Sequence, residues 1–309
     1  MSASFPSQAN AIPSAPVRPA LPKDARGALA KNVEDALQAL PIHFKTNTNI
    51  EGIEAGDLFS LSGVLGGTIE IQTVETLNRL RPVWDPDDLW PDYGFERSSQ
   101  AYPDVRLVTR SSGKEPIVLG IELKGWYLLS KEEEPSYRYV ATKEASSPYD
   151  LICVVPWHLN NILSGVPKVL PPYIENARFA ADMRTYYWTQ LRGKTAEDRR
   201  IITPQGVSPY PSSKKQSSDT AAKDSGNFGR IARVPGLMKE YSKGMLETRI
   251  LGIQARHWIR FFKAYSDAAS MEEVEQKLRK LIEQNSGSNL SENSTLAAQK
   301  LFEIRDLLA

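Results

Sequence analysis

The chain has 309 residues, 41% of them hydrophobic and 24% charged, with a formal net charge of +1. This is ordinary globular composition, enough for one large domain or two small ones, and it excludes a polycation, so any nucleic-acid surface must be local. A single cysteine excludes an intramolecular disulfide and a cysteine-based zinc cluster, three scattered histidines without HExxH spacing argue against a zinc hydrolase, and no apolar run approaches the ~20 residues that span a bilayer.

Residues 1–27 are rich in Ala, Pro and Ser and lack an apolar h-region; they read as a flexible arm and not a signal peptide, so a cytoplasmic location is expected. Ala28–Leu40 predicts a short helix. Gly56–Arg81 carries Leu58, Leu61, Leu65, Ile69, Val74, Leu77 and Leu80 at helical spacing, although Gly63, Gly66 and Gly67 weaken its first half. These glycines lack the GK[ST] ending and the preceding strand of a phosphate loop, which leaves helix packing or a local break. Pro82–Gln100, dense in Pro, Asp and Trp, reads as an irregular, well-anchored loop.

Strands follow. Asp104–Arg110 alternates, Ser111–Glu115 is a turn, and Pro116–Leu129 is a long apolar strand. Tyr137–Thr142 predicts a short strand, and Asp150–Trp157 is a continuous apolar run, as in a strand covered on both faces; Cys153 within it reads as a small buried hydrophobe. Helical spacing returns over Ile174–Leu191. Pro204–Asn227 is the least core-like internal stretch and predicts a mobile loop. Phe228–Val234 predicts a short strand, and Pro235–Ala268, Met271–Gln284 and Ser294–Leu308 predict helices, with Ser270 as an N-cap. No internal repeat is found. The expected fold is a mixed α/β core with further helices towards the C-terminus. Residues 28–309 are read as one domain, with its core at 56–203, the loop at 204–227 and a helical part at 235–309.

Two strands carry charges where a buried strand rarely keeps them. Side chains two apart share a face, so Glu122 and Lys124 point the same way, as do Asp104 and Arg106. If the strands pair through the Ser111–Glu115 turn, Asp104 comes close to Glu122 and Lys124. Two carboxylates at one point repel and raise each other's pKa; a divalent cation relieves the conflict. Mg²⁺ takes oxygen ligands, one or two carboxylates with water and phosphate oxygens. A lysine beside it can orient or deprotonate the attacking water or neutralise phosphate charge. These parts suit metal-assisted hydrolysis of a phosphodiester. The other reading is an exposed hairpin whose acid and lysine form a weak surface ion pair.

Pro103-Asp104, a gap, then Glu122-Leu123-Lys124 resembles the motif of the PD-(D/E)xK nuclease superfamily, whose best-known members are type II restriction endonucleases. Of three Pro-Asp pairs, only this one opens a strand-like run, and the other Glu-x-Lys, Glu275-Gln276-Lys277, falls on a predicted helix. The resemblance spans about residues 56–157. It implies a restriction-endonuclease-like mixed sheet flanked by helices, with Asp104 and Glu122 as metal ligands, the Leu123 carbonyl as a further ligand and Lys124 as the catalytic ammonium. It implies an additional acid on the preceding helix, Glu70 or Glu75, of which Glu70 is favoured. The cofactor implied is Mg²⁺, for which Mn²⁺ can substitute. The implied activity is endonucleolytic cleavage of double-stranded DNA, most simply by a homodimer in a restriction system with a cognate DNA methyltransferase. A repair or junction-resolving nuclease of the same fold, or a non-catalytic DNA-binding protein, are the alternatives.

Candidate DNA contacts are more diffuse. Arg178 and Arg184, on a helix with Tyr186, Tyr187 and Trp188, read equally as core or as phosphate ligands. Lys214 and Lys215 in the loop, with Arg230 and Arg233 after it, form either a solvated linker or a segment that wraps a duplex. Arg138, between Tyr137 and Tyr139, faces DNA or finishes the sheet. Arg256, His257 and Arg260 read as a partly exposed basic cluster, and His158 as a packing residue near the site edge.

Overall fold

A computed structural model describes residues 13–98, 101–191, 201–202, 217–218, 228–266, 270, 272–273, 276 and 303. The architecture is mixed α/β: a six-stranded mixed sheet flanked by helices. Helix α1 (Ala25–Gln38) starts on Asp24, whose carboxylate accepts the Gly27 N–H at 2.8 Å, and buries Leu29, Ala30, Val33, Ala36 and Leu37 along one stripe. The short α2 (Leu40–His43) follows. A 3-10 turn at Ala55–Ser60 leads into α3 (Leu61–Arg79), which buries Leu61, Leu65, Ile69 and Leu77, and then into α4 (Arg81–Trp84).

The sheet runs β1 (Gly94–Arg97), β2 (Val105–Val108), β3 (Ile117–Tyr127), β4 (Leu151–Leu159), β5 (Pro167–Val169), with β6 (Tyr173–Asn176) also pairing β4. Only the β3–β4 pair is parallel; the others are antiparallel. A parallel pair needs a long crossover, and here it contains Tyr137 and Tyr139. All nine residues of β4 are buried, as its continuous apolar run predicts. The sheet core is therefore densest around β4, while β1 and β2 form the thinner edge. After β6, Asn176 caps α5 (Ala177–Thr185) by accepting the Phe179 N–H at 3.0 Å. Further on come α6 (Lys239–Met245) and α7 (Ala255–Ser266).

Several expected elements change. The loop over Pro82–Gln100 is anchored by buried Asp85, which accepts the N–H groups of Leu89 and Trp90, but it also contains edge strand β1. The helix expected at Ile174–Leu191 begins with β6 and passes into a π-helical turn at Tyr186–Leu191. The helix expected over Pro235–Ala268 is divided by a small hairpin, Arg249–Ile250 with Ile253–Gln254. Its turn puts Leu251 and Gly252 at φ of 50° and 83°, backbone that a continuous helix cannot include. Tyr137–Thr142 and Phe228–Val234 are not strands; they meet through one bridge, Arg138 to Arg230, and a 3-10 turn at Ile231–Arg233. The Glu273 N–H bonds the Ser270 hydroxyl at 3.3 Å, the predicted cap. Residues 1–12, most of the predicted loop and most of the last two predicted helices lie outside the described residues; in the loop, Ser217–Ser218 pairs antiparallel with Ile201–Ile202. Among the described residues no helix is long and apolar enough to cross a membrane.

Candidate active site

The site lies where β2 parts from β3. Their pairing extends only to Val105 opposite Ile121. Beyond that point the N–H groups of Leu123 and Gly125 have no strand partner on the β2 side, and buried backbone donors must be satisfied. Carboxylates take them. Leu123 donates to Asp104 Oδ2 and Gly125 to Glu70 Oε1, each at 3.2 Å, and the Asp104 N–H donates to Glu122 Oε2 at 3.3 Å. Within the otherwise buried second half of β3, Glu122 and Lys124 are the two half-buried positions, two residues apart on one face.

Glu70 reaches this edge because α3 packs unusually close to β3. A Cβ on Gly125 would stand 3.2 Å from the Gly66 carbonyl oxygen and 3.7 Å from its Cα. The close approach depends on the strand glycine, Gly125; a Cβ at Gly63, Gly66 or Gly67 would meet no atom within 4 Å. Glu70 sits about one turn beyond Gly66, whereas Glu75 is exposed; of the two helix acids, only Glu70 meets the strand residues. Its Oε1 also holds the Lys124 ammonium at 3.2 Å, and its Oε2 meets Arg97 of β1 at 3.3 Å.

Three carboxylates (Glu70, Asp104, Glu122) therefore share two cations (Lys124, Arg97). The electrostatics reflect that imbalance. Burial, then the negative charge of Asp104, pushes Glu122 up to about 8. Burial, then Glu70, pushes Asp104 up to about 6, against the opposing pull of the Leu123 N–H and Lys124. The Lys124–Glu70 contact alone would fit a plain surface ion pair, since Lys124 is 38% exposed. It does not account for two further carboxylates held against the same strand edge.

Among the described residues no group of three or more His, Cys, Asp or Glu side chains is arranged to hold a metal ion. A Mg²⁺ ion needs fewer, one or two carboxylates completed by water and phosphate oxygens. Hard oxygen donors that repel each other, with no thiolate or imidazole among them, are the donor chemistry that ion takes. The Asp104–Glu122 pair fits it.

The predicted DNA-contact arginines are mostly committed elsewhere. Arg184 is 2% exposed and donates to the carbonyls of Tyr139 and Ala141 at 2.9 and 2.8 Å, with its guanidinium over Phe228. It belongs to the core and is not available to a phosphate. Arg178 bonds the Ser146 carbonyl, and Arg138, outside the sheet, the Phe228 carbonyl. Arg230 and Arg233 pair with Glu134. Lys214 and Lys215 lie outside the described residues. Arg256 pairs with Glu247, and His257 is lowered by burial and by Arg260, Arg256 and Arg249 around it. His158 is buried on β4, with Nδ1 against the Leu159 carbonyl, a packing role.

Two features of the site were not read from the sequence. Arg97 sits on the edge strand hidden in the Pro- and Asp-rich stretch. The tyrosines Tyr102, Tyr137 and Tyr139 form a buried cluster, with Tyr102 and Tyr139 hydroxyls 2.9 Å apart and each ring 6.3 Å from the next. Tyr102 precedes the Pro-Asp pair directly, which is the one sequence signal that links the cluster to the site. No family model, curated protein or solved structure matches the chain.

Proposed function

We propose that the protein is a Mg²⁺-dependent endonuclease of double-stranded DNA with a PD-(D/E)xK site on a restriction-endonuclease-like fold, acting as a type II restriction enzyme. The observation that carries the reading is the meeting of Asp104, Glu122, Lys124 and Glu70 at the unpaired edge of β3. A hairpin ion pair needs two of these residues; a phosphodiester site uses all four.

In this reading Asp104 and Glu122 hold the cation, with the Leu123 carbonyl on the same strand edge as a further oxygen donor. When bound, Mg²⁺ supplies Lewis-acid stabilisation of charge on the phosphate and lowers the pKa of water. Lys124, tied back by Glu70, presents its ammonium to a phosphate oxygen or to the attacking water. Arg97 restrains the second oxygen of Glu70, so that Glu70 orients Lys124 through the first. A homodimer reading a two-fold symmetric sequence, and a host methyltransferase that protects that sequence, belong to the same reading.

The test is incubation of plasmid DNA with the protein and Mg²⁺, beside the Glu122→Ala variant. Discrete fragments from the parent and none from the variant are expected, and their ends give the recognition sequence. Cleavage that follows DNA structure instead of a fixed short sequence would move the assignment to a repair or junction nuclease. Intact plasmid from both proteins, with Mg²⁺ and with Mn²⁺, would overturn the enzyme reading.

A further inference from the structure

Arg97 ends β1 at the rim of the site. The strand register sets it opposite Val105, and the next residue ties β1 to the motif: the Ser98 N–H donates to the Asp104 carbonyl at 2.6 Å. Its guanidinium makes one protein contact among the described residues, Nη2 to Glu70 Oε2 at 3.3 Å. That is long for a charge-assisted hydrogen bond, which runs to about 2.7–2.9 Å. The rest of the planar donor fork is unspent, and the side chain is 39% exposed. Arg97 is therefore not consumed by its ion pair. On the other side of the same carboxylate, Glu70 Oε1 holds the Lys124 ammonium at 3.2 Å. One carboxylate thus separates two cations, one on β1 and one on β3. The arginines singled out in the sequence are spent differently: Arg184, Arg178 and Arg138 donate to backbone carbonyls, and Arg230 and Arg233 share Glu134.

Charge decides what the exposed fork is for. Binding a divalent cation requires ionised carboxylates. Glu70, Asp104 and Glu122 then oppose Lys124 and Arg97, an excess of one negative charge. A divalent cation turns that excess into one positive charge, the match for the single charge of a phosphodiester. Without Arg97 the loaded site would be neutral, and its net charge would not draw a phosphate. A guanidinium also suits a phosphate in shape, because it meets phosphate oxygens with paired N–H groups.

We propose that Arg97 is a phosphate-binding residue of the cleavage site: the N–H groups that Glu70 leaves unused take the non-bridging oxygens of the phosphodiester that Lys124 serves, while Glu70 keeps the guanidinium aligned. The inference rests on the nuclease reading and adds to it a residue from the edge strand, outside the motif.

The experiment compares the full-length parent with Arg97→Gln and Arg97→Lys. Plasmid cleavage with Mg²⁺ is followed at several salt concentrations, and Mn²⁺ binding is measured by calorimetry without DNA. Arg97→Gln should show kcat/KM about a hundredfold lower, with a log–log salt dependence shallower by about one. It should bind Mn²⁺ as tightly as the parent or more tightly, because a positive charge beside the cation has gone. Arg97→Lys, which keeps the charge and loses the fork, should fall between the two in kcat/KM. Cleavage by Arg97→Gln at the parent's rate would overturn the inference and leave the nuclease reading intact. Weaker Mn²⁺ binding by Arg97→Gln would also overturn it, because Arg97 would then arrange the carboxylates and not the substrate. If Arg97→Gln lacks a cooperative thermal transition, Arg97→Lys decides: reduced kcat/KM with parental Mn²⁺ binding supports the inference, and parental kcat/KM overturns it. A parent that leaves plasmid intact would remove the nuclease reading and this inference with it.

Discussion

Two carboxylates, one beside β3 and one on it, use the same backbone chemistry to different ends. Asp150, at the start of β4, is fully buried; its two oxygens accept the Gly120 and Ser147 N–H groups at 2.8 and 2.7 Å. It is a staple between β3 and the crossover. Glu122, two residues along from Gly120, also accepts a backbone N–H, but it stands beside Asp104 and within reach of the charge on Glu70. Hydrogen bonds to N–H groups satisfy both; what separates them is company. A single buried carboxylate with two donors completes a fold, whereas three carboxylates sharing two cations leave an excess of negative charge that a cation can balance.

The contrast can be broken most sharply at Asp150. Asp150→Ala leaves two buried N–H groups unpaired, and at about 1–3 kcal/mol for each such group the loss should be about 3 kcal/mol, read from urea unfolding. A loss below about 1 kcal/mol would show that Asp150 is no staple and the comparison would collapse.

A smaller effect sharpens the other side. Asp104 and Glu122 have folded pKa values of about 6 and about 8, above their ordinary values of 3.8 and 4.5. The folded chain therefore holds these protons more tightly than the unfolded chain. Their contribution to stability is present below the ordinary carboxylate range and is lost as pH rises through the two folded values. Without metal, the melting temperature should fall by a few degrees between about pH 4 and about pH 8. Glu122→Gln should flatten the upper part of that fall, while added Mn²⁺ should offset it. A metal-free profile as flat in the parent as in Glu122→Gln would mean that the carboxylates are not in conflict.

Much of the fold and the motif half of the site could be read from the chain. Alternation and continuous apolar runs located β2, β3 and β4, because strands long enough or buried enough imprint their period. The charges at Asp104, Glu122 and Lys124 stood out because they interrupt those runs. Elements whose residues serve two purposes were harder to see. β1 is four residues at a sheet edge, with a Pro- and Asp-rich approach that hides its alternation. β6 ends in the residue that caps α5, so its sequence merges with helical spacing. The break before α7 depends on left-handed backbone at Leu251 and Gly252, of which only the glycine is a local signal. Arg184 shows the remaining limit: its burial follows from two backbone carbonyls and two rings brought together by distant segments, and nothing near residue 184 announces it.

The central claim is that Lys124 acts on a phosphate and is more than a partner for Glu70. Its most direct test is Lys124→Ala, assayed for Mg²⁺-dependent plasmid cleavage and for Mn²⁺ binding in the same preparation. The account predicts a folded protein that still binds Mn²⁺ and cleaves about a hundred- to a thousandfold more slowly, the scale expected when one electrostatic stabiliser is removed. Cleavage by Lys124→Ala at the parent's rate would contradict it.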